Sequence, residues 1–109
     1  MYFKKNSRLL IELPDFATPF ERMSSLQQEE VLVEWARIKA QIPDKIKYFE
    51  DQIRDLLDDI HHEENWDVIT NHFQQITDYA SRINELNLWS RVDPDLHPNA
   101  PSHFTDGAV

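Results

Sequence analysis

His61, His62, Glu63 and Glu64 stand side by side, Asp58 lies four residues before His62, and His72 follows further along the chain. Imidazole and carboxylate together hold zinc or iron, so metal binding is the one chemistry this grouping offers. Its candidate ligands are Asp58, His61, His62, Glu63 and His72. Helical di-iron centres use Glu-x-x-His pairs, and the sequence contains none. Read as a helix, the segment turns Asp58 and His62 away from the apolar stripe, and acids and imidazoles at a helix end also serve as ordinary charged surface. The plainer expectation is therefore a chain with no cofactor, with the His61 to Glu64 corner as the alternative metal site.

Other chemistries lack their residues. The single glycine, Gly107, cannot build a Walker loop or a dinucleotide fingerprint, both of which need glycine at the phosphate turn. The absence of cysteine removes disulfides, thiolate zinc sites and cysteine nucleophiles. No serine sits in a nucleophile elbow, and Ser24 and Ser25 fit helix caps instead. The expectation is a protein that is not an enzyme.

These residues must be carried by helices. The 109-residue length suits one domain, residues 1–109, and an all-α class is expected. Val31, Trp35, Ile38, Ile42, Ile46, Phe49, Ile53, Leu56 and Ile60 follow one another by threes and fours, which is the period of one helix face. The stripe passes Pro43 without changing phase. The spacing predicts one long helix over 24–62 kinked at Pro43, or else two helices split there. Ser24 with Gln27, or Ser25 with Gln28, can form a capping box at its start. A second helix is expected over 65–89, capped by Asn65. Its stripe is Trp66, Ile69, Phe73, Ile76, Ala80 and Ile83, with a second line of Val68, His72, Tyr79 and Leu86 beside it. Folded back on one another, the two helices make an antiparallel hairpin or small bundle.

Residues 1–23 read as irregular, punctuated by Pro14 and Pro19. Leu9, Leu10, Ile11, Leu13, Phe16 and Phe20 make this segment too apolar for a solvated arm, so a short strand or helical turn laid across the helices is expected. Residues 91–109, with Pro94, Pro98 and Pro101, read as an extended tail.

Helix lengths suggest a function. The first helix would run ~57 Å and the second ~35 Å, so the second ends near Ile38 and leaves Val31 and Trp35 overhanging. Such an overhang has to be covered by the N-terminal segment, a second copy or another protein. On the opposite side of the long helix lie Asp51, Asp55 and Asp58, a face suited to a basic partner.

With 20 acidic against 11 basic residues the net charge is −9, which disfavours phosphate backbones. Lys4, Lys5 and Arg8 precede an apolar run that Glu12 and Pro14 cut too short for a secretory signal or a membrane span. The resulting expectation is a cytoplasmic, non-enzymatic protein–protein interaction module, such as an adaptor, an inhibitor or immunity protein, or a chaperone. Val31, Trp35, Asp51, Asp55 and Asp58 are its candidate contacts, and a homodimer or a basic protein its candidate partner.

Overall fold

The computed structural model describes residues 2–93, and the remainder of the expected tail, 94–109, lies outside the described residues. The chain is mostly helical but not all-α. Two strands, β1 (Phe3–Asn6) and β2 (Ile11–Pro14), pair antiparallel with Phe3 opposite Pro14 and Asn6 opposite Ile11. They correct the expectation of an all-α class, while a short strand within residues 1–23, otherwise read as irregular, was expected. The connection lacks the Asn-Gly or Asp-Gly pair that announces a hairpin. The Asn6 side-chain oxygen closes it instead, accepting the backbone N–H groups of Arg8 and Leu9 at 2.9 Å each. Leu10 completes the turn at a left-handed φ of 64°, a conformation costing a non-glycine residue roughly 1 kcal/mol. That bend lets both Leu9 and Ile11 enter the core.

A single 3₁₀ turn at Phe20–Arg22 then leads to three α-helices, α1 (Ser25–Lys39), α2 (Ile42–His61) and α3 (Trp66–Trp89). Ser24 and Gln27 form the capping box of α1: the serine hydroxyl accepts the Gln27 N–H, and the Gln27 side chain accepts the Ser24 N–H. Asn65 caps α3 by accepting the Asp67 N–H at 2.9 Å.

Pro43 divides the long helical stretch into α1 and α2, rather than kinking one helix. Ala40 bonds back to Ala36 and Gln41 to Ile38, after which Pro43 occupies the first turn of α2, where a missing N–H costs nothing. Both linking residues keep right-handed helical dihedrals, Ala40 at φ −63°, ψ −19° and Gln41 at φ −84°, ψ −16°. The apolar stripe therefore crosses the joint in phase, with Ile38 and Ile42 both buried. The molecule measures 60 × 31 × 20 Å, close to the ~55 Å that α1 and α2 would span end to end.

α2 and α3 lie against each other. The Phe49 ring is 5.6 Å from that of Tyr79, and Asp59 approaches His72, so sequence number rises along one helix as it falls along the other. Among the described residues no helix is long and apolar enough to cross a membrane.

The core gathers at the opposite end from the α2–α3 turn. Trp35 is 2 % exposed, stacks on Phe3 with centroids 5.8 Å apart, meets Trp89 edge-on at 6.1 Å and donates its indole N–H to the Val92 carbonyl at 2.8 Å. Leu9, Ile11, Phe20, Met23, Val31, Ile38, Ile42, Phe49, Leu86 and Val92 complete the cluster. Arg8 clamps the β-turn to α3 by pairing with Glu85 and donating to Ser81.

Two substitutions test this architecture by urea denaturation. Trp35→Ala should lower stability by about 3–5 kcal/mol, because it empties a site that the hairpin, α1 and the end of α3 share. Pro43→Ala should change stability by no more than about 1 kcal/mol, whereas removing a proline from a helix interior would gain about 3 kcal/mol.

Candidate functional site

The metal-ligand candidates are scattered. His61 and His62 are exposed at the end of α2. The His62 ring Nδ1 sits 2.9 Å from the Asp58 carbonyl oxygen of its own helix. Glu63 accepts the Asn65 N–H at 3.1 Å and so belongs to the cap of α3. His72 is on the side of α3 that meets α2, its Nε2 3.9 Å from an Asp59 carboxylate oxygen, with Nδ1 buried and unbonded. Among the described residues no three His, Cys, Asp or Glu side chains converge as a metal site. The reason is geometric: successive residues at a helix end radiate in different directions, and Glu63 is engaged in capping α3.

The overhang is covered from within the chain. Val31 and Trp35 are 0 % and 2 % exposed beneath the β-hairpin and the end of α3, which corrects their place as partner contacts. α1 instead exposes its other side, with Leu26 at 66 % and Val33 at 71 %. These two residues, with Tyr2 and Phe3, floor an open depression of about 870 Å³ edged by Glu12, Glu29, Glu30 and Glu34. The Tyr2 hydroxyl donates to Glu30 at 3.0 Å, and that bond to a carboxylate raises the phenol's pKa above its ordinary value.

Asp55 and Asp58 are exposed on the outer side of α2. Asp51 on the same side is held by its own helix, accepting from Arg54 at 2.7 Å and from Lys47 at 3.2 Å. The hydrogen bond from Arg54 first, then that from Lys47, hold its carboxyl below the ordinary aspartate value.

A further exposed apolar surface lies elsewhere. No residue between Glu50 and Glu85 is fully buried, although this stretch contains most of the α2–α3 pair. The line that turns toward α2 is Val68, His72, Tyr79 and Leu86, the second of the two lines on α3. In the first, Trp66 and Phe73 are displaced by more than a quarter turn and exposed, while Ile69 and Ile76 flank the contact and are half-buried. On α2, Leu57 is displaced likewise, while Ile53 and Ile60 are half-buried, close to the phase of Phe49. Because the two helices run in opposite directions, these displacements bring both flanks to one side of the pair.

The result is a continuous apolar face on which Trp66 is 76 % exposed, Phe73 50 % and Leu57 43 %. Full burial of side chains this large is worth about 1.5–3 kcal/mol each, so leaving them in water forfeits much of the hydrophobic drive the sequence carries. The β-hairpin is anchored further along α3, where its Arg8 meets Ser81 and Glu85, two turns and more beyond Phe73. The wide apolar stripe of α3 was the only sequence signal of it, and that signal did not say which line would face α2.

Two measurements follow from this geometry. By carbon-detected NMR titration, Asp51 should titrate below an ordinary aspartate and shift upward in Arg54→Ala. Its small contribution to stability is present above the unfolded carboxylate pKa and disappears as pH falls through the lowered value. Zinc or nickel should leave the melting temperature unchanged, and His61→Ala/His62→Ala should behave as the parent does.

Compared with known proteins, the chain matches no family model, no curated protein and no solved structure. Its functional reading therefore rests on the surfaces just described.

Proposed function

We propose that this chain is a small, acidic, non-enzymatic protein–protein interaction module whose working surface is the open apolar face of α2 and α3. The observation that carries this reading is the exposure of Trp66, Phe73 and Leu57 together on one side of a helix pair. Isolated apolar residues are ordinary on protein surfaces, but a contiguous patch contributed by two helices is characteristic of a binding site. The patch is also rich in the side chains that anchor interfaces, since large aromatic groups give much contact area with little conformational entropy to lose.

The acidic groups occupy other surfaces. Asp55 and Asp58 on the outside of α2, and the glutamates around Leu26 and Val33, stay in solvent when the apolar face is covered. They supply solubility and offer a basic protein a second, separate surface, where association would weaken as salt rises.

A photoreactive phenylalanine analogue at position 73 tests the reading in the cells that make the protein. Illumination should give a discrete cross-linked species, while the same analogue at Asn71, across the helix, should give none. If position 73 also yields no product, the apolar face is not a contact surface and the reading fails.

A further inference from the structure

We propose that the open face is covered by a second copy of this chain, the two α2–α3 pairs meeting about a two-fold axis as a four-helix bundle. This rests on the reading of that face as the working surface and names its partner.

The shape of the face is that of half a bundle. The contacts Phe49–Tyr79 and Asp59–His72 set the register of the pair, and that register places Leu57 level with Phe73, Ile60 near Ile69 and Ile53 near Ile76. Each level offers one apolar side chain from each helix, which is how the layers of a four-helix core are composed. Two helices alone cannot enclose such layers. Two copies of the pair can, and a two-fold axis near the Leu57–Phe73 level matches every layer with an equivalent one.

Charge selects a second copy over a different partner. A chain with net charge −9 repels itself wherever its acids face outward, so self-association needs a surface from which acids are absent. The outer border of the face on α3 carries Thr70, Thr77, Ala80 and Asn84, none of them charged. The border on α2 carries Glu50 and Arg54, one charge of each sign. Asp55, Asp58, Asp67, Asp78 and Glu85 all fall on other sides of their helices by phase. A basic partner would gain nothing from this face and would be drawn to those acids instead. The depression over Leu26 and Val33, edged by four glutamates, is by the same argument closed to a second copy.

The extent is sufficient. The face is roughly 25 Å long and two helices, about 20 Å, wide, so each copy covers on the order of 500 Å² in projection and the pair about 1,000 Å². That reaches the lower bound of specific interfaces before the relief of the side chains is counted.

Sedimentation equilibrium on the full chain, from about 1 to 100 µM, is the test. The parent protein should approach twice the 13.0 kDa chain mass. Phe73→Glu should weaken the dimer at least ~30-fold, as expected for a central anchor, and Asp58→Arg on the acidic side should not weaken it. Because Phe73 is half exposed, its far-ultraviolet circular dichroism should be retained. Were Phe73→Glu to lose helix signal, the cross-linking analogue at position 73 in the purified chain decides instead: a product of twice the chain mass supports the dimer, and none overturns it. A dimer that survives both Phe73→Glu and Leu57→Glu meets through another face, and the proposal fails. A parent protein that stays monomeric at 100 µM also overturns it. In that case, cross-linking of position 73 to a different protein in cells leaves the interaction reading standing, and absence of any product removes both.

Discussion

The buried indole of Trp35 is the constraint on which the rest of this structure depends. It stacks on Phe3 of the hairpin, meets Trp89 at the end of α3 and donates its N–H to the carbonyl of Val92 beyond it. Three segments distant in sequence, the hairpin, α1 and the end of α3, are thereby held by one side chain. A carbonyl buried beside an aromatic cluster would carry a desolvation cost if left unpaired, so the indole N–H orients the ring as well as satisfying Val92. α1 has no helix packed along its length, and its burial comes from this junction and the hairpin laid over it.

That arrangement concentrates the core at one end of an elongated molecule. Arg82 lies over the rings of both Phe49 and Tyr79, 5.7 Å and 5.5 Å from their centroids, at the boundary where enclosed packing stops. Beyond this point α2 and α3 have only each other. An amphipathic helix gains most of its stability from the apolar face it buries, and here part of that face stays wet. The imbalance between a closed end and an open end is the physical basis for assigning the open end to association. Acids distributed over the remaining surfaces leave the apolar face as the place where like-charged chains can approach.

The hairpin shows why the N-terminus was hard to read. Leu9, Ile11 and Phe20 already announced that the segment belongs in the core, and both a strand and a helical turn are present. The strands are four residues long, however, and their turn is made by the Asn6 side chain and a left-handed Leu10, neither of which is distinctive in a sequence. The Pro43 alternative was similarly close. One helix and two in-phase helices bury the same residues, and only the hydrogen bonds of Ala40 and Gln41 separate them.

Local chemistry settled much of this protein in advance. The Ser24–Gln27 box, the Asn65 cap and the threes-and-fours spacing of the apolar residues depend on neighbours within one or two turns, so the helical stretches and the starts of α1 and α3 could be read directly. The charge balance and the absence of the glycines that phosphate-binding loops need are properties of composition alone. Tertiary structure decided what each apolar line faces. Nothing local distinguishes Trp35, which is enclosed, from Trp66, which is in solvent, because burial depends on whether another segment arrives over the side chain. Likewise, His72 and Tyr79 turn toward α2 while Trp66 and Phe73 do not, a choice made by how two helices roll against each other as they pack.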